Sequence, residues 1–137
     1  MYENSSLQSF ALAVALVVLL FTSGCGSVKE VKAGMDRNGK EIQLQQSEVL
    51  SVRLESNPTT GYSWQLAEFE KSILQPAGEP TFETAANGKQ QVGAGGWETF
   101  QFKPVKAGQT HLKLVYLRPW EKGVEPAQTF EAEVTIH

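Results

Sequence analysis

Apolar and polar side chains alternate with a period of two through most of the chain from Glu41 onward. Ile42 and Leu44 alternate with Glu41 and Gln43, and Leu50, Val52 and Leu54 alternate with Ser51, Arg53 and Glu55. Successive side chains of a strand point to opposite faces, so this spacing predicts two half-buried strands. The same alternation returns in Trp97–Pro104, which sets Phe100 and Phe102 inward. It returns again in Thr110–Leu117, through Leu112, Leu114 and Tyr116, and in Thr129–His137, through Phe130, Ala132, Val134 and Ile136. Ser63–Glu70 reads as a further strand with Trp64, Leu66 and Glu68 on one face, with helix as the competing reading. Leu74–Pro80 carries two prolines and a glycine and predicts an irregular crossing between sheets. Thr81–Thr84 is a candidate short strand, and Lys106-Ala107-Gly108 a tight connection. No segment has a helical stripe of useful length.

Six or seven short strands with turn signals between them predict an all-β fold, an immunoglobulin-like antiparallel β-sandwich. The cysteine pair of antibody domains is missing, because Cys25 is the single cysteine of the 137 residues. Trp64 is the candidate to fill the core in its place. Stability then rests on packing alone.

The N-terminal stretch stands apart from this pattern. Phe10–Phe21 is an unbroken apolar run, the length of an export-signal core and too short to span a bilayer. It leads through Thr22-Ser23-Gly24 to Cys25, an arrangement that resembles a bacterial lipoprotein box. The sequence therefore divides into a signal peptide (1–24), a lipid-anchored tether (25–40) and an immunoglobulin-like domain (41–137). The expected location is a membrane-anchored lipoprotein facing the periplasm or the cell surface. Cys25 is the expected lipidation site and membrane attachment.

Charge narrows the partners. Twelve basic against 15 acidic side chains, net -3, leave no basic excess for a phosphate backbone, so no nucleic acid is expected. His111 lies on the strand face opposite Leu112 and Leu114, and neither it nor His137 has a second ligand candidate nearby. No metal and no cofactor are expected. A Cys–His hydrolase would have to use Cys25 in the export signal, so the chain is not read as an enzyme.

Three polar loops carry the candidate chemistry. The first is Asn57-Pro58-Thr59-Thr60-Gly61-Tyr62-Ser63-Trp64. Pro58 fixes its own φ and restricts Asn57, while Gly61 allows a turn closed to other residues, so the loop is stiff before it meets a partner. The second, Gln91–Trp97, contains Gly93-Ala94-Gly95-Gly96 and exposes bare backbone. The third is Arg118-Pro119-Trp120, a cation and a large aromatic surface joined by a proline. Taken alone, each has a plain structural reading as a turn, a hairpin or a chance triplet.

In type and order the three loops resemble the signature loops of the chagasin family of cysteine-peptidase inhibitors. The resemblance runs from about Glu41 to the C-terminus. It implies a reversible, non-covalent inhibitor, a monomer, whose three loops gather at one end and close the cleft of papain-like cysteine peptidases. Carried over by position, Asn57, Pro58, Thr59, Thr60, Gly61 and Tyr62 form the central loop, with Thr59 and Thr60 nearest the catalytic cysteine. Gly93, Ala94, Gly95 and Gly96 lie along the substrate side, backbone to backbone. Arg118, Pro119 and Trp120 grip the other side. Trp64 is expected in the core and Tyr62 as a support. An immunoglobulin-like envelope lipoprotein that binds a glycan or a protein partner through Trp97 and Trp120 is the alternative.

Overall fold

Strands that bury one face must meet a second layer, and the chain does so with two sheets in the computed structural model, which describes residues 26–85 and 93–137. Nine strands run in order through the described residues: β1 (Lys29–Ala33), β2 (Lys40–Leu44), β3 (Glu48–Ser56), β4 (Ser63–Glu68), β5 (Leu74–Pro76), β6 (Thr81–Thr84), β7 (Gly96–Pro104), β8 (Gly108–Leu117) and β9 (Gln128–Ile136). One sheet has the order β1-β3-β7-β5, with β6 also pairing to β7, and the other the order β2-β9-β8-β4. The result is the immunoglobulin-like sandwich expected of the alternation.

The inward positions of the long strands form the core. Phe102, Phe130, Leu44, Leu50, Leu54, Leu74, Leu112 and Leu114 are fully buried, and Trp64 is 3% exposed. At roughly 1.5–3 kcal/mol for each large apolar side chain taken out of water, these contacts are the main favourable contribution to folding. Trp64 stacks beside Tyr116 at 5.1 Å between ring centroids and donates its indole N–H to the Glu55 carbonyl at 2.9 Å. It occupies the core as expected.

Three details depart from the sequence reading. The stretch 25–40, expected to be a tether, contains β1, which pairs in parallel with β3 from Lys29↔Glu48 to Ala33↔Val52, and Ala33 is buried. Its five residues offer few apolar positions, so alternation could not reveal it. An edge strand is held by its ladder and here by the Lys29–Glu48 ion pair at 2.7 Å. β2 likewise pairs in parallel with β9, so both sheets are antiparallel except at one N-terminal edge strand each. The region 74–80 begins with β5, which pairs with β7 before the irregular crossing starts. β4 loses its register between Leu66 and Glu68, which leaves Glu68 exposed rather than on the face of Trp64.

The topology places the loops. β3, β6 and β8 end at the same pole at which β4, β7 and β9 begin, as the pairs Ser56↔Gly96, Thr84↔Gly96 and Ser63↔Leu117 show. β1 starts level with Glu48, at the opposite pole.

Candidate functional site

The central loop is a one-turn 3-10 segment, Pro58–Thr60, whose shape follows from its sequence. Asn57 caps it: its Oδ1 accepts from the Thr59 backbone N–H at 3.3 Å and from the Thr59 hydroxyl at 2.6 Å. The Thr60 hydroxyl donates to the Asn57 carbonyl at 2.6 Å, and the Thr60 and Gly61 N–H groups donate to the carbonyls of Asn57 and Pro58. Pro58 stands where a helical turn needs no donor. Gly61 ends the turn at φ 80°, a left-handed conformation that costs a side-chain-bearing residue about 1–2 kcal/mol. Pro58, Thr59 and Thr60 are left exposed at the tip.

The third loop is fastened to the first. The Arg118 Nε donates to the Thr60 carbonyl at 3.1 Å, and its guanidinium lies 4.5 Å from the centroid of the Tyr62 ring. Glu121 Oε1 accepts from the same guanidinium at 3.3 Å. Tyr62 in turn stacks on Tyr116 at 5.3 Å, so Arg118, Tyr62, Tyr116 and Trp64 form a continuous pile from the surface into the core. Trp120 lies across Gly61, with its ring otherwise open to solvent at 67% exposure.

The second loop approaches from the other side. Asn57 Nδ2 reaches the Gly93 carbonyl at 3.4 Å, and Gly95 packs against the Ser56 carbonyl closely enough that a Cβ there would lie 3.3 Å from it. Gly93 is exposed, and Ala94 and Gly95 are half-buried. Gly96 is different: it is buried as the first residue of β7, and a Cβ on it would run into the Glu83 carbonyl and the Phe82 ring. Gly96 therefore serves close strand packing where the loop joins the sheet. Gln91, Val92 and Cys25 lie outside the described residues.

All three candidate loops thus meet at one pole, with the loop 57–62 in the middle. Residues 43–134 match the family model described as the chagasin family of peptidase inhibitors, I42. The chain belongs to the chagasin family. It is 32% identical over 95 residues to amoebiasin-2 of Entamoeba histolytica, covering 69% of this chain and 76% of that protein. It is 37% identical over 89 residues to chagasin of Trypanosoma cruzi, covering 61% and 76% of the two chains. Among solved structures, the cysteine protease inhibitor EhICP2 from Entamoeba histolytica superposes with a TM-score of 0.71 at 28% identity, over 80% of this chain and 96% of that one. PbICP-C, solved in complex with falcipain-2, shares the fold at a TM-score of 0.58 and 21% identity, over 80% and 99% of the chains.

Within this chagasin-family site, two groups had no role in the sequence reading. The Tyr116 hydroxyl accepts from the Asn57 N–H at 2.8 Å, and Glu98, 9% exposed, accepts from the Ser56 hydroxyl at 2.6 Å and the Trp64 N–H at 3.2 Å. A signal for Glu98 existed: it has the parity of Phe100 and Phe102, which places a carboxylate on the inner face. Trp97, by contrast, points outward beneath the Arg53 guanidinium, 4.9 Å from the ring centroid. Among the described residues no group of His, Cys, Asp or Glu is arranged to hold a metal ion.

Proposed function

We propose that this protein is a reversible, non-covalent inhibitor of papain-like cysteine peptidases that acts as a monomer and closes the active-site cleft with its three loops. The observation that carries the reading is the fastening of the loops to one another, Arg118 to the Thr60 carbonyl on one side and Asn57 to Gly93 on the other. Loops already held in one shape lose little conformational entropy on binding, so more of the contact energy appears as affinity. Thr59 and Thr60 would stand over the catalytic cysteine. The tip there is a 3-10 turn closed by Thr60 and Gly61 N–H bonds, whereas a peptidase cuts a segment held in attack geometry. Gly93–Gly95 would offer backbone along the substrate side, and Arg118 and Trp120 would grip the far wall. Trp and Arg are the residue types most enriched among energetic anchors of such interfaces.

The test is hydrolysis of a fluorogenic peptide by papain in the presence of the purified protein. Inhibition that is competitive and recovers on dilution is expected. Full activity of every papain-like enzyme tried, at micromolar folded protein, would overturn the reading.

The same reading extends to location. Cys25 carries a lipid after removal of 1–24, and three residues, 26–28, then separate it from Lys29 at the start of β1, a reach of about 14 Å at most. Because β1 begins at the pole opposite the loops, an anchored domain would hold its inhibitory end away from the membrane, toward the periplasm or the cell surface. Incorporation of labelled palmitate by the wild type and not by Cys25→Ser is the expected result. Equal labelling of both would remove the anchor.

A further inference from the structure

We infer that Glu98 is a positioning residue of the inhibitory site, a buried carboxylate that ties together the two roots of the loop 57–62 and thereby sets how Thr59 and Thr60 are presented. The inference rests on the inhibitory reading above and adds a residue that touches no peptidase. Glu98 faces the interior from β7, opposite Leu54 of β3 and beside the core aromatic Phe100. Its two carboxylate oxygens have different partners. Oε1 accepts from Ser56, the last residue of β3, and Oε2 from the backbone N–H of Trp64, at the start of β4. One strand enters the loop and the other leaves it, and they belong to different sheets. A single side chain therefore bridges the sandwich directly beneath the loop.

The bonds inside the loop cannot do this. Asn57, Thr59 and Thr60 make the tip rigid, but they do not fix its angle to the sandwich. That angle depends on the roots, where Glu98 holds the Ser56 hydroxyl and the Trp64 N–H, the Tyr116 hydroxyl holds the Asn57 N–H, and the Trp64 indole holds the Glu55 carbonyl. Among the described residues β4 is an edge strand that pairs with β8 alone, and Glu98 satisfies the Trp64 N–H on the side turned away from β8. A methionine of like size would fill the same space but leave the Ser56 hydroxyl and the Trp64 N–H without this acceptor, so some loss of stability accompanies it. What an apolar side chain cannot supply is the directional link from Ser56 to Trp64.

The experiment compares full-length wild type, Glu98→Met and Glu98→Gln, solubilised in mild detergent. Three quantities are read: thermal midpoint, hydrogen exchange at the root amide of Asn57, which the Tyr116 hydroxyl holds, and the association rate with papain. Glu98→Met is expected to stay folded with a lower thermal midpoint, to exchange about tenfold faster at that amide and to associate about tenfold more slowly. Glu98→Gln is expected to behave as wild type, since its amide oxygen accepts from Trp64 and its NH2 donates to the Ser56 hydroxyl. Wild-type exchange and association in Glu98→Met, or equal impairment in Glu98→Gln, overturns the inference. If Glu98→Met does not fold, Ser56→Ala removes one link without added bulk; faster exchange at Asn57 supports the inference and unchanged exchange overturns it. Exchange needs no peptidase, so a wild type that fails to inhibit papain counts against the inhibitory reading and leaves the role of Glu98 to be decided by the exchange result.

Discussion

Trp120 lies across the bare backbone of Gly61, and a methyl group on Gly61 would fall on the six-membered ring of the indole. Two loops read in the sequence as separate fingers are thus in contact before any peptidase arrives. Gly61 meets two demands at once, the left-handed φ of 80° that ends the 3-10 turn and the flat surface on which Trp120 rests.

The first prediction follows from that double demand. Gly61→Ala adds strain of about 1–2 kcal/mol and displaces Trp120. The thermal midpoint should fall by a few degrees, whereas the inhibition constant for papain should rise by about tenfold or more, beyond what the stability loss explains. Calorimetry and titration of papain on the same preparation measure both. A variant that keeps wild-type inhibition would show that the seat of Trp120 is irrelevant.

Trp120 and Trp64 should separate binding from folding. Trp120 is mostly exposed, and Trp120→Ala should leave the thermal midpoint nearly unchanged while weakening inhibition by roughly 2–4 kcal/mol. Trp64 is buried against Tyr116 and bonded to Glu55, so Trp64→Ala should destabilise the domain by about 3–5 kcal/mol. Circular dichroism melts alongside inhibition assays distinguish the two. Equal destabilisation would mean that Trp120 belongs to the core.

The contrast between these tryptophans also shows what the sequence could express. Strict alternation made β2, β3, β7, β8 and β9 legible together with nearly every core position, because a strand with one wet face has no other periodicity available. The loops were legible through their stiffening residues, Pro58, Gly61 and Pro119. β1 was not, since Lys29–Ala33 is held by a ladder and an ion pair that a pattern of hydrophobicity does not register. Glu98 and the Tyr116 hydroxyl were hidden for a related reason. Their importance lies in partners brought close by pairing across and between the sheets, and periodicity reports faces, not partners. Gly96 reads as loop backbone in the sequence because the strand that lies against it, β6, comes close only through pairing.

Arg118 tests whether the grip between loops needs a guanidinium. It bonds the Thr60 carbonyl, meets Glu121 and covers the Tyr62 ring simultaneously. A lysine keeps the charge but not the planar fork that serves three partners at once. Arg118→Lys should therefore weaken papain inhibition by about tenfold, a loss on the order of 1.4 kcal/mol, with little change in the melt. Inhibition indistinguishable from wild type would reduce Arg118 to a surface charge.

Acid should destabilise the domain through three glutamates whose carboxylates are held by partners in the fold. The Lys29 ammonium, followed by the Gln45 backbone N–H at 2.9 Å, holds the Glu48 carboxyl below its ordinary value against the opposing effect of burial. Ser72 lowers Glu70 by donating its backbone N–H and its hydroxyl, and Lys113 lowers Glu131 through an ion pair at 3.0 Å. A carboxylate depressed in the folded state contributes stability that is complete above its unfolded value, 4.5 for these glutamates, and is lost as pH falls through the lower folded value. The thermal midpoint should thus be flat from neutrality to about pH 5 and decline below it. Glu48→Gln removes one of the three contributions, so its midpoint should be lower at neutral pH and converge on that of the wild type in acid. Melts of both proteins across that range decide the matter: parallel curves, with no convergence, would show that the Lys29–Glu48 pair contributes nothing to the acid response.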